Sequence, residues 1–452
     1  MPRQPNILFI LTDQMRPSEL GPATPVLNRL ADTGVRFEHC YAAAPLCQPS
    51  RNCIVTGRFP TQHGVCGNMN DPISDAERAD TYPHHLQATG YHTAYIGKHH
   101  YIDRFNIGMD VVDDDEAIQG YGYDHVWQVV DISEGRHNDD RFTRFLAERG
   151  KLQQYRDNLG RAYFETLDPS ETPDGYIADQ AVAYLRQFDG KQPLMLTVGF
   201  VGPHPPHWAP EPYGSMFSPD DVPAPKALED PERIRHFKAQ RAVYRGQVRQ
   251  IDDAVGRLLD MLGKREMREN TLIVFTADHG HMIGDYGIHD KRFFYEQSVR
   301  VPLVLSGAGV PRDDREPEKL SKALVSGVDL YPTFLDAAGC EYPHGAGKRD
   351  GLSLLRLVDG RTAHRGAVCS ELGTATMVRD AGWKLVYDPA QGGVEQLFNL
   401  RRDPEELDNL AGLPMYRDVE TRLVQHALGH MIRLTRHTHT KERMRLQRVR
   451  VE

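Results

Sequence analysis

Five mainly apolar runs of strand length constrain the fold of this chain more than any other feature: residues 5–12, 91–96, 193–200, 271–277 and 301–305. They do not alternate apolar with polar, so they read as strands buried on both faces. Helical patterns lie between them. A Thr24-Pro25 start leads to a stop at Gly34, residues 83–90 end in glycine, and 174–188 and 329–338 have helical spacing. The longest, 231–262, repeats Val248, Ile251, Val255, Leu258 and Leu259 at helix intervals. Strands alternating with helices predict an α/β fold with a large, mainly parallel sheet covered by helices on both faces.

The character changes near residue 365. Residues 366–369, 376–379, 383–387 and 395–400 are short strand-like pieces separated by turn residues, the pattern of a small antiparallel sheet. With 452 residues the chain exceeds one ordinary core, so we expect a catalytic domain over 1–364 and a C-terminal subdomain over 365–452. Residues 103–173 have weaker patterning, with the acidic run Asp113-Asp114-Asp115-Glu116 and the aromatics Tyr121, Tyr123 and Trp127, and read as a solvated surface insertion. The basic tail 433–450 reads as a solvated helix, with an arm joining a homo-oligomer as the alternative. The net charge of −9 argues against a nucleic-acid partner, and the run Ile7-Leu8-Phe9-Ile10-Leu11 is too short to cross a membrane. Six cysteines without a Cys-x-x-Cys pair suggest reduced thiols and a cytoplasmic protein.

In open parallel α/β sheets the ligand site lies beyond the carboxyl ends of the strands. Four of the runs stop at Asp13-Gln14, Gly97-Lys98-His99-His100, Gly202-Pro203-His204 and Asp278-His279, so these groups should converge on one edge. Asp13, Gln14, Asp278 and His279 offer oxygen ligands and one imidazole, suited to a single divalent cation such as Ca²⁺, Mn²⁺ or Mg²⁺. Lys98, Lys291 and Arg51 could surround an oxyanion, and His100 and His204 suit proton transfer near neutrality. The stretch Cys47-Gln48-Pro49-Ser50-Arg51 sets a cysteine four residues before a guanidinium. Spacing alone leaves open whether Cys47 is a nucleophile position or an ordinary cysteine in a turn.

Taken together, these residues resemble the type I sulfatases of the alkaline phosphatase superfamily. The resemblance rests on Cys47-Gln48-Pro49-Ser50-Arg51 with Thr56-Gly57-Arg58, on the four strand ends, and on Lys291 and Arg300-Val301-Pro302-Leu303. Trp383-Lys384-Leu385 and Leu397-Phe398-Asn399-Leu400 resemble the family's small domain. The resemblance implies that a separate formylglycine-generating enzyme oxidises Cys47 to formylglycine, whose hydrated aldehyde attacks sulfur and also ligates the cation, with Ca²⁺ the first expectation. It implies that Asp278 takes the nucleophile's proton and that His204, helped by Lys291, protonates the leaving alcohol. His100 would remove the second hydroxyl proton, while Arg51, Lys98 and Lys291 neutralise the sulfuryl oxygens. The implied substrate is a small sulfate ester.

One departure is Gln14, where many sulfatases carry a second aspartate; the lost charge opens the identity of the metal. An Asp-Gln pair also occurs in related choline-sulfatase-like enzymes and in phosphonate monoester and phosphodiester hydrolases of the superfamily, and the latter hydrolases are the rival reading. Those enzymes lack the Gly-Lys-x-His element that this chain keeps as Gly97-Lys98-His99-His100.

Overall fold

The structure is a computed structural model and describes residues 4–69, 71–102, 115–132, 134–159, 167–311, 319–340, 349–363 and 365–449. Its main sheet has nine strands: β1 (Asn6–Thr12), β2 (Gly34–Tyr41), β3 (His92–Gly97), β4 (His125–Gln128), β5 (Leu194–Gly199), β6 (Thr271–Ala277), β7 (Arg300–Val301), β8 (Leu303–Gly307) and β9 (Lys319–Ser326). The order is β4-β3-β5-β1-β6-β8-β2-β7, with β9 also paired to β2. The block β4-β3-β5-β1-β6 is parallel throughout, with Leu8 of β1 between Leu196 and Ile273. Its central strands are fully buried, as their unbroken apolar runs require. Carboxyl ends of β3, β5, β1 and β6 therefore lie side by side, as the expectation for the strand-end groups demanded.

Three helices match their sequence signals closely: Pro25–Asp32, Pro173–Gln187 and Pro231–Lys264. Each begins with proline in its first turn, where the missing N–H costs no intrahelical bond. The Asp230 side chain caps the longest by accepting from the backbone N–H groups of Glu232 and Arg233.

Elsewhere the sequence reading needed correction. The run 301–305 is two strands, because Pro302 interrupts the ladder, and both pair antiparallel to β2. The expected surface insertion contributes the edge strand β4, and Tyr121 and Tyr123 are buried. Their hydroxyls find partners inside: the Tyr123 hydroxyl lies 3.1 Å from that of Tyr82 and 3.0 Å from that of Tyr101. Residues 103–114 and 160–166 of that stretch, with Asp113 and Asp114, lie outside the described residues.

The small sheet is antiparallel, β10 (Ala367–Leu372), β11 (Ala375–Asp380), β12 (Trp383–Asp388) and β13 (Gly393–Asn399) in sequential order. Its Val368, Met377 and Val386 pack on Tyr41, Phe294, Val299 and Leu324 of the large domain. A final helix, Arg417–Val449, buries Leu423 and Ala427 against the other face. Leu434 falls within the tail read as solvated, yet it packs on Ala43, Cys53, Phe59 and Val328; side chains beyond it lie outside the description. Among the described residues, which include all six cysteines, no disulfide forms, and no helix is long and apolar enough to cross a membrane.

Lys384 of β12 locks the two sheets together. Its fully buried ammonium lies 3.1 Å from Glu296 Oε1 and also pairs with Glu406, whose Oε2 accepts from the Glu296 backbone N–H at 2.8 Å. Two carboxylates share one cation, so burial and then the charge of Glu296 push Glu406 up to about 7 against the pull of Lys384. A carboxyl raised above its ordinary value binds its proton more tightly folded than unfolded. Its contribution to stability is therefore lost as pH rises from about 4.5 through 7. Glu406→Gln is expected to flatten the fall in stability across that window, checked by urea denaturation on either side of it. An unchanged pH slope in the variant would count against this assignment.

Candidate active site

Cys47 opens a helix, Cys47–Thr56, in which all ten residues are buried. Pro49 fits in its first turn, and the Gly57 cap has φ 66°, a left-handed conformation that glycine adopts without strain. Ser50 and Arg51 on that turn tie it to the end of β6. Ser50 Oγ donates to the Asp278 carbonyl at 2.6 Å, and Arg51 Nε donates to Asp278 Oδ2 at 2.8 Å. Thr56-Gly57-Arg58 ends the helix: Thr56 Oγ1 bonds back to the Asn52 carbonyl, and Arg58 pairs with Asp80 at 2.6 Å.

Ligand atoms of Asp13, Cys47, Asp278 and His279 all lie within 4.8 Å of one another, and every one of these residues is buried. His279 Nδ1 donates to the Gly280 carbonyl at 2.8 Å, which leaves Nε2 as the lone-pair donor. That Nε2 stands 3.1 Å from Cys47 Sγ, 3.6 Å from Asp278 Oδ1 and 3.9 Å from Asp13 Oδ1. The two carboxylates are divided in function. Their Oδ1 atoms face this cluster, while their Oδ2 atoms take Arg51, which is 2.8 Å from Asp278 and 3.1 Å from Asp13; Asp13 Oδ2 also takes Lys98 at 2.6 Å. Burial lowers the pKa of His279, yet Asp278 and Cys47 outweigh it and push the ring up to about 9. Such a local excess of negative charge is what a divalent cation relieves, so the donor set fits one.

Gln14 adopts φ 68°, a strained conformation for a non-glycine residue. Its Oε1 accepts from Lys291 Nζ at 2.9 Å, and its Nε2 donates to Asp290 Oδ1 at 3.0 Å and to His281 Nδ1 at 2.9 Å. Arg51, expected among the anion-facing groups, spends its Nε, one NH and the other on Asp278, Asp13 and the Lys98 carbonyl. It organises the ligand carboxylates from behind.

Lys98 and Lys291 flank the thiol side. Burial opposes the charge of Lys98, but Asp13 and Asp131 more than offset it, and its pKa stands well above the usual value. Lys291 is likewise raised, against burial, by Cys47 and Asp13. Lys291 Nζ donates to His204 Nε2 at 2.8 Å, and His204 Nδ1 donates to the Pro205 carbonyl at 2.6 Å. Burial lowers the pKa of His204, and nearby Asp131 at 3.5 Å only partly restores it. Lys291 and His279 hold the Cys47 thiol below its ordinary range against burial and Asp13, with a smaller contribution from His100, whose φ is 47°. Lys98 reaches this place because Gly97 and Gly199 stand opposite each other where β3 meets β5. A Cβ on Gly97 would sit 2.0 Å from the Gly199 carbonyl oxygen.

The strand-end residues therefore converge as expected, with Cys47 and Lys291 joining them. Sequence reading missed Asp131, Asp290, His207 and His281. Asp290 and His281 had a visible signal in their closeness to Lys291 and His279; Asp131 had none once its segment was assigned to a surface insertion. A cavity of about 700 Å³ opens beside His204, His207, His289 and Asp290, walled by Phe217, Ala239 and Val243.

The fold is alkaline-phosphatase-like. A model of the sulfatase family matches residues 5–340, and a model of the C-terminal region of N-sulphoglucosamine sulphohydrolase matches residues 284–432. The chain thus belongs to the sulfatase family and is a sulfuric ester hydrolase. It is 30% identical over 454 residues to a choline-sulfatase of Rhizobium meliloti (strain 1021), covering 91% of this chain and 83% of that protein. An arylsulfatase of Clostridium perfringens (strain 13 / Type A) is 29% identical, covering 92% of each chain. Among solved structures, a phosphonate monoester hydrolase from Silicibacter pomeroyi superposes with TM-score 0.79 at 24% identity, covering 95% of this chain and 96% of that one, a likeness of fold.

Proposed function

We propose that the protein hydrolyses the sulfate monoester of a small alcohol to the alcohol and inorganic sulfate, using formylglycine made from Cys47. The observation that carries this reading is the position of Cys47: its Sγ shares one buried cluster with Asp13, Asp278 and His279 and lies under the charge of Lys291. Formylglycine, produced by a separate maturing enzyme, supplies a hydrated aldehyde as nucleophile. A divalent cation, Ca²⁺ first and Mn²⁺ or Mg²⁺ as alternatives, supplies Lewis acidity and lowers the pKa of a bound hydroxyl.

The chain's own groups do the rest. Asp13, Asp278 and His279 would hold the cation, and Gln14, whose backbone N–H donates to Asp278 Oδ1, fixes Lys291. Asp278 Oδ1, in the same buried cluster as Cys47 Sγ, is the base this reading assigns to the nucleophile's proton, with Asp13 Oδ1 at 3.9 Å from that sulfur beside it. Lys98 and Lys291 neutralise the sulfuryl oxygens. His204 Nε2 and Lys291 Nζ share a proton at the mouth of the cavity, where the leaving oxygen emerges, and His100 faces the position 47 side chain to accept a proton on release. The choline- and arylsulfatase relatives support a small ester as substrate.

A second reading, phosphonate monoester or phosphodiester hydrolysis, draws on Gln14 and on the fold of the Silicibacter pomeroyi enzyme. The deciding experiment compares kcat/KM for aryl sulfate and aryl phosphonate esters sharing one leaving group. The sulfate is expected to be preferred; a phosphonate preference would replace the first reading with the second.

His204→Ala is expected to lower kcat/KM for alkyl sulfates by about 10²–10⁴-fold. Nitrophenyl-type sulfates should lose far less, because an acidic leaving group departs without a proton. Equal losses across leaving-group pKa would remove His204 from the acid's role.

A further inference from the structure

We propose that His207, His281 and His289 form a second metal site, distinct from the Asp13 cluster and selective for a borderline transition ion such as Zn²⁺ over Ca²⁺ or Mg²⁺. One ligand nitrogen from each ring lies within 4.8 Å of the others. His207 Nε2 and His281 Nε2 are 2.9 Å apart. Two nitrogens on a tetrahedral zinc, each at about 2.0–2.1 Å, lie roughly 3.3 Å from each other, so small ring movements admit the ion.

The surroundings orient His207 as a ligand, while His281 becomes one by a change of tautomer. His207 Nδ1 donates to Gln247 Oε1 at 3.2 Å, which leaves Nε2 with its lone pair toward the cluster. On His281, Nδ1 is engaged by Gln14 Nε2 at 2.9 Å and lies 3.5 Å from the Asp290 carbonyl. Without an ion, His281 Nε2 carries the hydrogen and donates to His207. With one, that hydrogen moves to Nδ1 and is accepted by the Asp290 carbonyl, which requires Gln14 Nε2 to give up its bond to the ring while keeping Asp290 Oδ1. His289 approaches from an exposed loop, and the cavity of about 700 Å³ lies over His207 and His289, so both an entry path and open coordination positions exist. Three neutral imidazoles are a poor cage for the hard cations that the carboxylates of the Asp13 cluster suit, and a good one for Zn²⁺, Co²⁺ or Ni²⁺. Gln14 touches both groups: its backbone N–H donates to Asp278 Oδ1 at 3.0 Å, and its side chain to His281.

The test titrates Zn²⁺, then Co²⁺, into the full chain presaturated with Ca²⁺, for wild type, His289→Ala and His207→Asn. Bound metal is counted by elemental mass spectrometry, and Co²⁺ ligands are read from visible absorption. Wild type is expected to take one transition ion that Ca²⁺ does not displace, with a nitrogen-ligated Co²⁺ spectrum. His289→Ala, an exposed change that leaves the core intact, should weaken that binding at least about tenfold. Equal uptake and equal spectra in wild type and His289→Ala would overturn the proposal, as would no uptake by the Ca²⁺-loaded wild type. If His207→Asn fails to fold, the His289→Ala comparison still decides.

Discussion

Cys47→Ala is expected to reduce kcat by at least about 10⁴-fold while leaving the fold intact. The side chain sits where every functional element meets. It begins its helix, stands 3.1 Å from His279 Nε2, and is buried beside Asp13 and Lys291. Replacing it with a methyl group removes the only carbon at this place from which an aldehyde can be made, and no neighbour can take over: the oxygens of Asp13 and Asp278 are bound to Arg51 and Lys98 or committed to the ligand cluster. Folding should be spared, because the alanine fills less space and the residues that lose the sulfur, His279 and Asp13, stay held by the Gly280 carbonyl and by Lys98 and Arg51. Circular dichroism and the denaturation midpoint check the fold, and sulfate release checks turnover. Mass spectrometry of the wild-type peptide adds the chemical half, since matured protein should carry the aldehyde in place of the thiol. Full activity from a chain whose Cys47 is wholly an unmodified thiol would refute the proposed nucleophile.

How much of this could be read beforehand depended on burial pattern. Strands β1, β3, β5 and β6 announced themselves because both faces are covered, so the runs are apolar throughout and their polar stops mark the carboxyl ends. Strand β2, by contrast, mixes Arg36, Glu38 and His39 with Val35 and Phe37, and has neither an unbroken apolar run nor strict alternation. The Cys47 helix was invisible for the opposite reason. All ten of its residues are buried, polar ones included, so no amphipathic stripe exists for periodicity to detect. Its Arg51 and the Asn52 Nδ2 donate to carbonyls and carboxylates far along the chain, which spacing cannot foresee. The same holds for the histidine cluster, where His207 meets His281 across 74 positions. Family motifs marked Asp13, Cys47, Asp278 and His279, which the fold brings together; what they do not encode is contact between loops.

Arg51→Met is expected to cost about 3–5 kcal/mol of stability and to remove most activity. The guanidinium is fully buried, and its three nitrogens reach Asp278, Asp13 and the Lys98 carbonyl at 2.8, 3.1 and 2.7 Å. Methionine fills similar space but leaves Asp278 Oδ2 without its ion partner, and Asp13 with Lys98 alone at that oxygen. In the wild type, burial raises the pKa of Asp13, but Lys98, His204, Arg51 and Lys291 outweigh it and hold the group well below its ordinary 3.8. A depressed carboxyl stabilises the fold at pH above that value, and the contribution is lost as pH falls through the folded pKa. Arg51→Met should therefore be least stable relative to wild type near neutrality, with the gap narrowing on acidification. Arg51→Lys separates the two roles: it restores a positive charge but not the three-way geometry, so stability should partly return while turnover stays low. A loss below about 1 kcal/mol in Arg51→Met, measured in urea without metal, would mean that the two carboxylates do not depend on this residue.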